Sequence, residues 1–319
     1  MDTSSISPAL LIASLIIAST PIMLAAIGEL VVERAGVLNL GVEGMMITGA
    51  ICGFAVSVET GSPTLGVLAS ILGGAALSLI FAILTQFFLA NQVASGLALT
   101  LFGLGFSALI GKSYTGIKPP DLGSPNLGFL TEIPFFGTTL FEHDYLVYVA
   151  FGIILAVSLF LKYTRQGLIL RAVGEDHSSA HALGYKVVRV RILAILFGGG
   201  CAGLGGAYIS LIRVPQWAEG MTHGAGWIAL AIVVFASWKP LRILFGAWLF
   251  GGLTVLQLNL QAAGVTKINL GVFEIPLQVQ YLTMAPYLIT ILVLVLISAR
   301  ALSNTPGSLG KSFLSLIHI

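Results

Sequence analysis

Long apolar runs, separated by short polar breaks, dominate the chain from residue 8 to residue 299. A helix needs roughly 20 apolar residues to cross the ~30 Å hydrocarbon layer of a bilayer. By that rule the sequence predicts about nine spanning helices, within a range of roughly eight to ten. Their expected bounds are 8–27, 37–58, 63–90, 93–111, 145–162, 192–212, 224–238, 242–263 and 282–299. The third is long enough to tilt or break, and the seventh is short enough to be partly re-entrant.

Composition agrees with this pattern. Hydrophobic residues make up 57% of the 319 residues and charged residues only 9%, and the mean hydropathy is +1.00. We therefore predict an all-α integral membrane protein. The expected organisation is one transmembrane domain over residues 1–313, with a cytoplasmic loop at 163–191. Residues 314–319 are a tail to which we assign no role.

Small residues recur four positions apart on several predicted helices. At this spacing, helix backbones can approach closely within a bilayer. We expect close packing inside one subunit, in preference to a seam between two subunits. The pairs are Gly49 with Gly53, Gly199 with Gly203, and Ala202 with Gly206.

The basic residues predict an orientation. Cytoplasmic loops of membrane proteins carry an excess of Lys and Arg, and this excess is obtained when the N-terminus lies outside and the C-terminus inside. Four basic residues are then external: Lys112, Lys118, Arg213 and Lys267. The cytoplasmic set is Arg34, Lys162, Arg165, Arg171, Lys186, Arg189, Arg191, Lys239, Arg242, Arg300 and Lys311. The acidic loop 112–144 is then external, where it suits contact with a partner.

Carboxylates cluster between the first two predicted spans, at Glu29, Glu33 and Glu43, with Asn39 beside them. An unpaired ionisable group in a bilayer is costly, so such groups indicate a packed polar network or a solute path. A helix cap, or an interfacial ion pair with Arg34, explains the same spacing.

For the solute path we favour Asn39 and Glu43, which are expected to share one helix face because they are one turn apart. Their amide and carboxylate suit a neutral polar solute, which needs only transient hydrogen-bond partners. Four further residues are candidates for the solute path, although packing or a position at the membrane interface also explains each of them. They are Asn91, Gln92, Thr100 and Trp227.

The longest predicted cytoplasmic loop contains a compact helix. Asp176 is suited to the N-cap position, the helix follows from His177 to Leu183, and Gly184 provides a left-handed stop. This helix could be an inert connector, an interfacial helix or a docking element. His177 and His181 lie four apart, but no third ligand completes a metal site. The sequence carries no catalytic motif and no metal cluster, so we expect no active site, no cofactor and no metal.

Three passages resemble the permease subunits of bacterial ABC importers of the ribose and branched-chain amino acid group, in the nucleoside and simple-sugar branch. The likeness extends from about residue 8 to residue 313. One departure is the run Asp176-His177-Ser178-Ser179, where the family more usually has Asn-Pro-Glu-Ala. The passages are Glu33–Gly44, Leu170–Glu175 with Ala180, Leu183 and Gly184, and Leu282–Thr290.

This resemblance implies a type II importer permease, which is a transport subunit and not an enzyme, in the bacterial inner (plasma) membrane. It would move a nucleoside, or a simple sugar such as ribose, into the cytoplasm. It also implies a separate ABC ATPase subunit, a second and related permease chain, and an external solute-binding lipoprotein, with no nucleic acid involved. The implied ATPase-coupling residues are Gly174, Glu175, Ala180 and Gly184. In that role Gly174 would allow a tight turn and Glu175 would offer a polar contact.

Two other classes remain open at this point. A secondary transporter or channel for a small polar solute would work without an ATPase and would need intramembrane acids placed for ion coupling. A structural membrane scaffold would carry no solute flux at all.

Overall fold

The computed structural model describes residues 8–125, 137–262 and 305–314. It also describes the strands at 267–270 and 273–276 and single positions within 128–135 and 284–295. The α-helices are α1 (Pro8–Arg34), α2 (Val42–Thr60), α3 (Pro63–Ala82), α4 (Gln92–Gly111), α5 (Tyr145–Tyr163), α6 (Arg165–Glu175), α7 (His177–Ala182), α8 (Val187–Ala207), α9 (Ala225–Phe235) and α10 (Pro240–Ala262). Segments with π-helical hydrogen bonding follow α3 at Ile83–Phe87 and α8 at Tyr208–Arg213, and a third precedes α5 at Gly137–Phe141. Strands β1 (Lys267–Leu270) and β2 (Phe273–Pro276) form one antiparallel hairpin.

The helical membrane architecture is confirmed. Among the described residues, seven helices are long and apolar enough to cross a bilayer, namely α1 to α5, α8 and α10, counting the turns that extend α3, α4 and α8. The predicted span at 224–238 is the short helix α9, whose 11 residues cannot cross a bilayer alone. The predicted span at 282–299 lies outside the described residues apart from single positions.

Two predicted boundaries are wrong in the same place. Helix α1 does not end at residue 27 but continues to Arg34, so Glu29 and Glu33 are buried inside it. Helix α2 begins at Val42 rather than residue 37. The rule of counting apolar residues ends a span at its first acid, whereas here the acids have hydrogen-bond partners and the helix continues.

Helices α1, α2, α3 and α8 form the core, and glycines set how closely they approach. A Cβ on Gly49 would overlap the backbone of Gly203, and a Cβ on Gly74 would overlap the carbonyl oxygen of Gly199. These contacts join α2 to α8 and α3 to α8. The prediction of close packing inside one subunit is confirmed.

Contacts between distant segments define two ends of the molecule. At one end, Gly310 donates from its backbone N–H to the carbonyl of Gly36 (3.3 Å), beside α6 and α7. At the other end, Thr115 and Trp217 form an isolated backbone bridge. Segment 305–314 and the predicted cytoplasmic loop therefore lie on the same side, as the predicted topology requires.

The contact between α3 and α8 generates a stability prediction. A side chain at Gly203 would overlap the carbonyl of Ser70, whereas a Cβ at Gly152 on α5 meets nothing within 4 Å. We expect Gly203→Leu to destabilise the protein by about 1–3 kcal/mol or more through overpacking, and Gly152→Leu to leave it unchanged. Thermal unfolding of the detergent-solubilised protein measures both variants. Equal unfolding midpoints for the two would contradict the packing described.

Candidate functional site

The chain between α1 and α2 runs from the end of the molecule into its interior. Gly36 contacts Gly174 at the end where α6 and α7 lie, whereas Gly44 packs on Thr100, near the midpoint of α4. Residues 37–39 between them have no regular secondary structure. Helix α2 therefore begins level with the middle of α4, deep in the bundle.

Asn39 lies in this unwound segment and binds back to α1. Its backbone N–H and its side-chain amide donate to the carboxylate of Glu29 (3.3 and 3.4 Å), and its Oδ1 accepts from the N–H of Gly41 (2.9 Å). The expectation that Asn39 and Glu43 share one helix face is wrong, because α2 begins only at Val42. The amide of Asn39 replaces helical bonds that the unwound backbone cannot make.

Glu43 closes the N-terminus of the short helix α9. One carboxylate oxygen accepts from the hydroxyl of Thr222 (2.5 Å) and the N–H of Gly224 (2.9 Å), and the other accepts from the N–H of Gly226 (2.7 Å). A carboxylate is favoured there because the first N–H groups of a helix have no partner within it and carry partial positive charge. A Cβ on Gly226 would lie 2.5 Å from the Cα of Glu43, so only glycine permits this approach.

The other end of α9 is held by α1. The indole N–H of Trp238 donates to Glu33 (2.5 Å), and Nε and Nη2 of Arg34 donate to the carbonyl of Trp238 (3.0 and 2.9 Å). We call Glu33, Arg34 and Glu43 the α9 clamp, since together they bind both ends of the helix. The sequence offered a helix cap or an ion pair with Arg34 as alternative roles for the acids. Glu43 is a helix cap, on α9. Arg34 binds the backbone carbonyl of Trp238, just beyond the other end of α9.

The remaining pathway candidates divide into buried and exposed residues. Gln92 accepts from the N–H of Leu38 (2.8 Å), and Thr100 donates to the carbonyl of Leu40 (3.1 Å), so both pack against the unwound segment. Asn91 caps α4 by accepting from Ala94 (3.0 Å). Trp227 on α9 is 49% exposed. Four of the six candidates, Asn39, Glu43, Gln92 and Thr100, are thus buried in or beside the unwound segment and the start of α2.

The predicted cytoplasmic helix is present as α7. Asp176 accepts from the N–H groups of Ser178 and Ser179 (2.9 and 3.2 Å), and Gly184 has a left-handed φ of +85°. Both features are confirmed.

The expectation that Gly174 allows a tight turn is wrong, because Gly174 lies within helix α6. A Cβ there would overlap the carbonyl of Arg34, so this glycine permits contact between α6 and the end of α1. Glu175 is exposed at the end of α6, whereas Ala180 is buried in a small apolar cluster.

Sequence reasoning missed three parts of this arrangement. The turn at Thr222–Gly226, the indole of Trp238 and the guanidinium of Arg191, which is 0% exposed, were not proposed as site residues. The signal for Arg191 was available, because a basic residue one turn inside an apolar helix requires buried partners. Nothing in the local sequence links residues 222–238 to α1 and α2.

Comparison with known proteins shows the family to which the chain belongs. Residues 11–302 match the family model of the branched-chain amino acid transport system permease component. The chain belongs to this family. It is 42% identical over 294 residues to TsgC13 of Haloferax volcanii, provisionally named a glucose ABC transporter permease, covering 87% of this chain and 88% of that protein. The resemblance drawn from sequence is therefore confirmed at the level of the family.

Two further relatives of this permease carry nucleoside names. The guanosine ABC transporter permease NupQ of Bacillus subtilis is 32% identical, covering 94% of this chain and 95% of that protein. The nucleoside ABC transporter permease NupC of Lactococcus lactis is 30% identical, covering 92% and 94%. The permease is thus matched along nearly its whole length.

The clamp generates a prediction about Glu43. In Glu43→Gln, the new amide N–H₂ would face backbone N–H donors, so at least one buried donor loses its partner. We expect a loss of about 1–3 kcal/mol in stability, measured as a lower thermal unfolding midpoint in detergent. The matched control is Glu219→Gln, which changes an exposed carboxylate in the loop before α9. Equal stability of the two variants would show that Glu43 does not hold α9.

Proposed function

We propose that this permease forms half of the membrane pathway of an ATP-driven importer that moves a nucleoside into the cytoplasm. The observation that carries the proposal is the match to NupQ and NupC over more than nine-tenths of the chain. A simple sugar is the second candidate solute, because TsgC13, which is named for glucose, has the higher identity of 42%.

The charge of the α9 clamp supports an uncharged solute. The N-terminus of a helix that ends within a membrane is a ready site for an anion. Here that position is already filled by the carboxylate of Glu43, which uses both oxygens on α9 and its preceding turn. An anionic solute would meet this negative charge, whereas a nucleoside or a hexose carries none.

We propose that the solute passes along the face of α9 that bears Trp227. This face exposes Trp227 and Val234, two turns apart, while the opposite face packs on α1 and α2. An indole offers a stacking surface for a base or a sugar ring. In this scheme the clamp residue Glu43 and the buried Asn39, Gln92 and Thr100 hold α9 and the unwound segment in place, and Asn91 caps α4.

Helix α7 is the proposed contact for a separate ATPase subunit, on which hydrolysis takes place. Leu183, directly after α7, is 76% exposed, which suits burial against a partner. We propose that ATP-driven closure of that partner pushes on residues 172–184 and reorients the helices, opening the pathway alternately to each side. Gly174, Glu175, Ala180 and Gly184 shape this element.

The remaining parts of the proposal follow from the same assignment. The permease would lie in the bacterial plasma membrane with its N-terminus outside, paired with a second, related permease chain and supplied by an external solute-binding lipoprotein. The predicted external loop 112–144 suits contact with that lipoprotein.

Uptake measurements test the class and the solute together. We expect the permease to co-purify with an ATPase, and uptake of labelled guanosine to be blocked by vanadate and by excess unlabelled uridine. Vanadate-sensitive uptake of labelled glucose or ribose, with no uptake of labelled guanosine, would assign a sugar instead. Uptake abolished by an ionophore but insensitive to vanadate would indicate a secondary carrier and overturn the proposal.

The pathway proposal predicts the effect of removing the indole. Stacking on an aromatic side chain contributes about 1–3 kcal/mol per base, so Trp227→Ala should lower uptake about tenfold or more at unchanged assembly. The matched control is Tyr163→Ala, which removes another exposed aromatic ring, at the end of α5. Wild-type uptake by Trp227→Ala would place the solute elsewhere.

A further inference from the structure

Segment 305–314 binds directly to the ends of α6 and α7. We call it the strap. The backbone N–H of Ser308 donates to the carbonyl of Gly174 (2.9 Å), and its hydroxyl accepts from the N–H of His177 (3.1 Å). Ser308 is buried, and a Cβ on Gly307 would lie 2.6 Å from the carbonyl oxygen of Glu175. The strap thereby supplies a partner for the first N–H of α7, which has none inside a helix.

Arg191 joins the strap to the turn between α1 and α2. From one turn inside α8, its Nε donates to the carbonyl of Ala35 (3.2 Å) and its Nη1 to the carbonyl of Lys311 (3.0 Å). Its Nη2 lies 3.4 Å from Nδ1 of His177. A single guanidinium fork therefore binds three segments that lie 14 to 156 residues from it along the chain.

Phe313 completes the contact on the apolar side of α7. Its ring lies edge-on to His177 and His181, with centroids 5.3 and 5.2 Å apart, and it packs in a cluster with Val173, Ala180 and Val187. Burial and the neighbouring guanidinium of Arg191 lower the pKa of His177, while Asp176 opposes them. The neutral ring then accepts at Nδ1. Helix α7 has only six residues, too few to be stable without such packing.

We propose that the strap and Arg191 position α7 and join it to the turn between α1 and α2, so that a push on α7 reaches the α9 clamp. The inference deepens the proposed function, since it rests on α7 being the contact for the ATPase. It adds positioning residues, Ser308, Phe313 and Arg191, that lie outside the ATPase contact and the solute path.

Hydrogen bonds hold the chain at several points along this route. Strap residue Gly310 binds the carbonyl of Gly36, and the unwound segment that follows is bound to Glu29 through Asn39. A few residues later, Glu43 binds the start of α9. A backbone held at both ends, with buried partners between, transmits a displacement where a loose loop would absorb it.

The test uses the transporter purified with its ATPase, carrying Phe313→Ala. We expect amide hydrogen exchange within residues 174–184 to become about tenfold faster, because α7 loses its packing. We also expect the ATP hydrolysed per solute transported to rise about threefold or more. Leu314→Ala is the matched control, since Leu314 is adjacent and 61% exposed. Phe313→Tyr should restore both measurements.

Each outcome is decisive. Unchanged exchange in Phe313→Ala would overturn the positioning role, and faster exchange with an unchanged ATP-to-solute ratio would overturn the coupling role. If Phe313→Ala does not assemble, Arg191→Lys replaces it. The single nitrogen of lysine lacks the planar fork by which three nitrogens of Arg191 reach three segments, so the same two results are expected. If no ATPase co-purifies with the wild-type permease, the proposed function fails. Amide hydrogen exchange measured on the permease alone then still decides whether the strap holds α7 in place.

Discussion

The need to pair carboxylates inside an apolar bundle governs the central part of this structure. Glu29, Glu33 and Glu43 are all buried. Glu29 and Glu43 accept hydrogen bonds from backbone N–H groups of non-helical segments, and Glu33 accepts one from the indole of Trp238. Burial of an unpaired charge is costly, whereas a carboxylate bonded to backbone N–H groups is stable. The acids and the irregular backbone therefore stabilise each other. Without the acids, the backbone N–H of Asn39 and the N–H groups of Gly224 and Gly226 at the start of α9 would lose their partners.

This pairing also determines what can move. Helix α9 is bound at both ends by the α9 clamp, so it follows α1 and the start of α2. At the far end of the same loop, Gly36 touches Gly174 on α6. The end of the molecule that holds α6 and α7 is thus connected to the interior helix α9 through one short stretch of chain. Glycines at these contacts allow the backbones to meet directly, so α6, the turn after α1 and α9 cannot shift far relative to one another.

Much of the architecture was predictable from local sequence. The lengths of the apolar runs predict all seven spanning helices among the described residues. Backbone polar groups exposed to lipid are costly, so an apolar run long enough to cross the bilayer forms a helix. The helix α7, with Asp176 as its N-cap and Gly184 as its stop, was also predictable, because capping depends on residues only a few positions apart. The spacing of Gly199 and Gly203 likewise predicted that other helices pack closely on α8, because residues four apart lie on the same face of a helix.

The roles of the polar residues depended on contacts across the fold. The sequence alone determined that Glu43 must have partners, because its surroundings are apolar, but the partners lie about 180 residues away. In the same way, Arg191 could be recognised as a buried charge, but its bonds to Ala35 and Lys311 join segments whose meeting depends on how the helices pack. Local patterns therefore decide which residues form helices and which polar groups need partners. Only the tertiary structure decides which partners they find, because that depends on chain segments brought together by packing.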